Sequence, residues 1–100
     1  MPQPTPITMN HLLDRQRIWT FDPDSVRSAR LSCRCTQSRL ATRLGISVRH
    51  LRRIETGLTW GGPDGFRIRT GYTLQLFDRL CFELGLEYEE LLRPQALRAA

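Results

Sequence analysis

Residues 36–57, TQSRLATRLGISVRHLRRIETG, decide how this chain folds. Thr36 is a helix-capping residue, and Leu40, Ala41 and Leu44 recur behind it at three- and four-residue spacing, which makes one apolar stripe on a helix. Gly45 ends that helix, because glycine takes a left-handed terminal conformation without a Cβ penalty, and Ile46 supplies the hydrophobic contact that accompanies such an ending. A second helix starts at once. Ser47 caps it, Val48, Leu51 and Ile54 form its inner stripe, and Gly57 closes it after Glu55 and Thr56.

The outer positions of the second helix are Arg49, His50, Arg52 and Arg53. Guanidinium groups bind phosphate bidentately and match the O6/N7 edge of guanine in the major groove. A basic helix on its own is more often a solvated surface than a binding element. Here small Ala41, turn-forming Gly45 and apolar Leu51 and Ile54 stand where a helix-turn-helix needs them. A small residue lets two helices cross closely, glycine makes the turn, and the later apolar residues lock the second helix onto the first.

Read as a pattern, T-Q-x-x-L-A-x-x-L-G-I-S-x-x-x-L-x-x-I-E-x-G resembles the DNA-binding domain of the Cro/C1-type (XRE) repressors. The likeness extends to Val26 through Leu31, matching that family's first helix, and to Leu74 through Leu92, matching its last two. It implies an all-α, five-helix, lambda-repressor-like domain. To this the sequence adds an N-terminal helix and a β-hairpin insertion after the recognition helix.

Length and charge agree with that expectation. One hundred residues with 40% apolar content are expected to form a single domain without a separate sensing or catalytic one. The net charge is +5 and all 15 basic residues are arginine, which points to a polyanionic partner. Charge is also segregated. Arg27, Arg30, Arg34, Arg39, Arg43, Arg49, Arg52 and Arg53 face only Glu55 over residues 25–57. Over 71–92 Asp78, Glu83, Glu87, Glu89 and Glu90 face only Arg79.

Residues 1–9, rich in proline, are expected to form a flexible arm, and residues 10–93 the single domain, with the motif at 36–57 and the insertion at 58–72. Asn10 is expected to cap a helix over 11–19; either Trp19 and Phe21 fold back on the core, which is the favoured outcome, or the segment helps build a dimer. Asp22-Pro23-Asp24-Ser25 begins a helix over 25–33. Arg34 replaces the glycine that commonly closes that helix in the family, so this corner either takes a strained conformation or extends the helix. After Gly57, the turn-rich Gly61-Gly62-Pro63-Asp64-Gly65 lies between alternating flanks and predicts a hairpin with Arg67 and Arg69 on one face. Thr73 is expected to cap a helix carrying Leu74, Leu76, Phe77, Leu80, Cys81 and Leu84. Residues 87–92 make the last helix, and 94–100 a tail.

The resemblance also assigns roles. Val48, Arg49 and Arg53 are candidates for base contact. Thr36, Gln37, Ser47, His50, Arg52, Arg67 and Arg69 are candidates for phosphate contact, and Arg30 and Glu55 for a structural salt bridge. The function implied is a sequence-specific, double-stranded-DNA-binding regulator, a repressor that binds a palindromic operator as a homodimer through its C-terminal helices. Small regulators of this type often act on their own operon. The alternative is a protein-interaction module such as an antitoxin, which would have a protein partner. No enzyme activity, cofactor or metal is expected, since His11 and His50 lack a ligand cluster and a lone C-x-C is a poor zinc signal. Cys33, Cys35 and Cys81 are expected to be buried small hydrophobes. With no apolar run long enough to span a bilayer and no signal-peptide pattern, the expected location is cytoplasmic.

Overall fold

Six helices and a two-stranded antiparallel sheet make up the computed structural model, which describes residues 6–95. Residues 1–5 of the expected arm and 96–100 of the expected tail lie outside the described residues, while Pro94, expected in the tail, belongs to β2. The elements in order are α1 (Met9–Leu13), β1 (Trp19–Phe21), α2 (Pro23–Ser32), α3 (Gln37–Leu44), α4 (Val48–Glu55), α5 (Gly71–Leu84), α6 (Tyr88–Leu91) and β2 (Leu92–Pro94).

Local chemistry sets most helix ends. Asp22 accepts from the Asp24 amide at 3.1 Å and from the Ser25 hydroxyl at 2.8 Å, while Pro23 occupies the first turn of α2, where its missing N–H costs nothing. Thr36 Oγ1 caps α3 through the Arg39 amide (3.1 Å), and Ser47 Oγ caps α4 through the His50 amide (3.0 Å). At Gly45, with φ of 71°, the Ile46 amide reaches back to the Ala41 carbonyl at 3.0 Å. This backward bond satisfies a carbonyl that the helix itself leaves open, and it turns the chain sharply into α4.

Helices α2 to α5 enclose Val26, Leu40, Ala41, Leu51, Ile54, Phe77 and Leu80. Trp19 is the largest wholly buried side chain, at 0% exposure. Its strand pairs Trp19↔Pro94, Thr20↔Arg93 and Phe21↔Leu92 with β2. On the other edge the Trp19 amide donates to the Phe66 carbonyl at 2.8 Å, and the Phe66 amide returns the bond at 2.9 Å. An aromatic cluster lies beneath, with Trp60 4.3 Å and Phe66 5.7 Å from Phe77 between ring centroids, and Phe21 edge-on to Trp60 at 5.3 Å.

Several expectations are corrected here. The fold is mostly helical rather than all-α, because β1 and β2 form a sheet. No helix covers 11–19: α1 ends at Leu13, Asp14 makes a side-chain turn to the Gln16 amide (3.0 Å), and Trp19-Thr20-Phe21 then alternates buried, exposed, buried. The arm expected over 1–9 is already ordered by Thr8, the N-cap of α1. The hairpin after Gly57 is absent. Its first flank turns instead of extending, because Gly61 approaches Gly57 so closely that a Cβ there would stand 2.4 Å from the Gly57 carbonyl oxygen. Trp60 is thereby drawn into the aromatic cluster, and Phe66 pairs with Trp19 rather than with its sequence neighbours. Helix α5 begins after Thr70, which caps the Thr73 amide at 3.1 Å, and α6 stops at Leu91 so that Leu92 can join β2.

The cysteines are not uniformly buried. Cys33 is exposed at the end of α2, while Cys35 and Cys81 are half-buried. Burial, reinforced by the charges of Asp78, Glu87, Glu90 and Glu89, pushes the Cys81 thiol up to about 12. Among the described residues no helix is long and apolar enough to cross a membrane.

Two measurements follow from this architecture. Arg34 holds a left-handed φ of 54°, a conformation that disfavours a side chain by about 1–2 kcal/mol. Arg34→Gly is therefore expected to raise unfolding free energy by about 1 kcal/mol after its greater unfolded-state entropy is deducted. A lower urea midpoint would show that the corner is not strained. In a time course of iodoacetamide labelling at pH 8, read by mass spectrometry, Cys33 should label first and Cys81 last, since thiolate is the reactive form.

Candidate nucleic-acid interface

The orientation of α4 is fixed from the inside. Leu51 and Ile54 are fully buried, and the turn at Gly45 leaves α4 lying across α3. A charged lock closes its far end. Arg30 Nε donates to Glu55 Oε2 at 2.9 Å and Arg30 Nη2 to Glu55 Oε1 at 3.1 Å, while Nη1 donates to the Cys35 carbonyl at 3.0 Å. Arg30 is only 8% exposed and Glu55 6%. Two parallel guanidinium–carboxylate bonds, isolated from water, therefore tie α2, the corner before α3 and the last residue of α4 into one body. Neither residue is available to a ligand.

The opposite face of α4 is open and cationic. Arg49, Arg52 and Arg53 are exposed, and His50 is half-exposed. Arg49 and Arg53 lie one turn apart, about 6 Å along the axis. Neither has a salt-bridge partner among the described residues. Arg52 is positioned differently, for its Nε donates to Gln37 Oε1 at 3.2 Å, joining the middle of α4 to the first residue of α3. Thr36 and Ser47 are exposed, but each hydroxyl oxygen already accepts a helix amide. Val48 is half-buried against the core, so only part of its surface is free to meet a base.

Residues 26–60 match the helix-turn-helix family. The family model matched over those residues is that of the Cro/C1-type (XRE) helix-turn-helix, so this segment is similar to that family. No curated protein and no solved structure matches it. A helix-turn-helix of this type is the DNA-binding module of XRE-type transcription regulators, and α4 stands where its recognition helix does. The match takes in about a third of the chain. Helix α1, both strands, most of the 57–70 connection and helices α5 and α6 lie beyond it.

Charge separates the two sides of the domain. Within α3 and α4 the one carboxylate, Glu55, is consumed internally. On the C-terminal helices, Asp78 accepts from the Tyr88 hydroxyl at 2.8 Å, and burial together with that bond raises the Tyr88 pKa, so the phenol keeps its proton. Arg43 leans toward this acidic side, 3.8 Å from Glu83.

Arg15, Gln16 and Phe82 were not visible as site residues in the sequence. Arg15 and Gln16 line a groove with Arg67 and Arg69, although some fifty residues separate the two pairs. The bridge between Trp19 and Phe66 brings them together, and no periodicity announces such a pairing. Phe82 is 81% exposed on α5. It falls five residues after buried Phe77, off the inner stripe of the helix, and that spacing was the available signal.

The lock gives a direct test. Arg30→Ala should lower unfolding free energy by about 3–5 kcal/mol, because it leaves Glu55 charged and buried without a partner. Denaturation in urea checks this, and a midpoint unchanged from the parent protein would remove the lock from the account.

Proposed function

We propose that this protein is a sequence-specific, double-stranded-DNA-binding transcriptional repressor that acts as a homodimer on a palindromic operator. The observation that carries the reading is an internally anchored α4 whose exposed face presents Arg49 and Arg53, one turn apart and without salt-bridge partners among the described residues, inside a segment similar to the Cro/C1-type family. Arginines so placed can each meet a guanine edge through two donors, and Val48 at the start of the helix can touch a thymine methyl. Thr36, Gln37, Ser47, His50 and Arg52 would orient the domain on the phosphate backbone. Gln37 and Arg52, already bonded to each other, would meet the backbone with little further loss of freedom.

Two recognition helices separated by about one turn of DNA read a palindrome, so the proposal needs a twofold axis. The exposed Phe82, with Leu86 and Tyr88 lining the groove beside it, supports placing that axis at the C-terminal helices. Repression would act by occluding polymerase, and regulation of the protein's own operon fits a small domain of this kind. The same apolar surface supports a second reading, in which the fold holds a protein partner as an antitoxin does and DNA binding is secondary.

Fluorescence anisotropy with the DNA upstream of the protein's own gene, against a scrambled duplex, tests the first reading. Specific binding should exceed scrambled binding by about a thousandfold or more. Arg49→Ala and Arg53→Ala should each cost about 1–3 kcal/mol on the specific duplex only. Equal, steeply salt-dependent binding to both duplexes would reject operator recognition. In sedimentation experiments Phe82→Glu should turn a dimer into a monomer while leaving thermal stability in place; a wild-type monomer that co-purifies with a second protein favours the other reading.

A further inference from the structure

The groove lined by Arg15, Gln16, Arg67 and Arg69 lies wholly outside the residues that match the family. Its volume is about 390 Å³, and three of its four lining residues are arginines. Its shape comes from three features of the fold. Ile68 is buried, so the extended backbone on either side turns both Arg67 and Arg69 outward, about 7 Å apart at the 3.3 Å rise of extended chain. The antiparallel bridge between Trp19 and Phe66 brings the turn at Arg15 and Gln16 alongside the segment that carries Arg67 and Arg69. The turn that carries Arg15 is pinned by the Arg17 guanidinium, which lies 5.8 Å above the Trp19 ring.

Charge gives the groove a direction. Among the described residues Arg15, Arg67 and Arg69 form no salt bridge. The sequence-adjacent acid, Asp14, is already engaged by Arg17 at 3.8 Å and by the Gln16 amide, and the other acid near these segments in sequence, Asp64, lies exposed in the turn before Gly65. Three guanidinium groups converging without counter-charges repel one another. A ligand that places several negative charges at short intervals would relieve that repulsion.

We infer that this groove is an accessory phosphate-backbone site, in which Arg15 acts with Arg67 and Arg69 to hold duplex DNA beyond the part reached by α3 and α4. The inference rests on the DNA-binding function proposed above. Gln16 supplies a neutral donor between the charges. The site reads no sequence; it adds contacts that release counterions and lengthens the footprint of the domain.

The test is a salt series measured by anisotropy on a long mixed-sequence duplex and on upstream DNA. Three phosphate contacts contribute about 2.7 to the slope of log affinity against log salt. The triple variant Arg15→Ala, Arg67→Ala, Arg69→Ala should lose roughly that amount and bind about tenfold or more weakly at low salt. Arg15→Lys, Arg67→Lys, Arg69→Lys should retain the slope, and Arg79→Ala, which removes one charge on the acidic side, should leave it unchanged. A slope in the alanine triple variant equal to that of the parent, or a lysine variant as impaired as the alanine one, overturns the inference. The operator reading fails separately: a wild-type protein with no preference for upstream over scrambled DNA defeats it, while the salt slope on the mixed-sequence duplex still decides the groove.

Discussion

The bidentate bond between Arg30 and Glu55 is the constraint around which the DNA-facing half of the molecule is arranged. Burying both charges incurs a desolvation cost that only good geometry offsets, and here two guanidinium–carboxylate bonds and a third to the Cys35 carbonyl supply it. The bond has a positional consequence beyond stability. It consumes the sole carboxylate of α4, so the outward face of that helix carries cationic charge without an internal counter-ion. It also ties the far end of α4 to α2, with Arg49 and Arg53 on the opposite, exposed face.

A second organising element is Trp19. Segments distant in the chain meet on it: β2 on one edge, Phe66 on the other, and the aromatic cluster below. Gly65 belongs to this junction, since a Cβ there would stand 2.6 Å from the Trp19 carbonyl oxygen, and its left-handed φ of 73° suits glycine. The additions to the helix-turn-helix are therefore not appendages. The N-terminal strand, the long connection and the C-terminal strand close over one side of the helical core as a unit, and the arginine-lined groove is a product of that closure.

The residues whose conformation is legible in the sequence share a physical trait: their structure is decided within a few positions along the chain. Thr36, Gly45, Ser47 and Gly57 punctuate α3 and α4 because capping and left-handed turns are local events, and the apolar stripe of each helix needs only its own period. Arg34 illustrates the limit of that logic. Sequence alone left two outcomes, a strained corner or a longer helix, and the bond from the Cys35 amide to the Arg30 carbonyl accompanies the left-handed one.

The expected hairpin failed for the complementary reason. Alternating apolar residues at 58–60 and 66–70 state that one face is to be buried, but not against which partner. Trp60 found Phe77, Phe66 found Trp19, and the chain between them folded back at Gly61 instead of pairing with itself. Leu92 likewise left the last helix for a strand once Phe21 offered an edge. Sequence by itself determined the helix-turn-helix, the segregation of charge and the identity of the exposed arginines on α4, because periodicity and capping are short-range. Only the tertiary structure decided the sheet, the fate of the long connection and the meeting of Arg15 with Arg67 and Arg69, because strand partners and grooves depend on contacts between residues that the chain order keeps far apart.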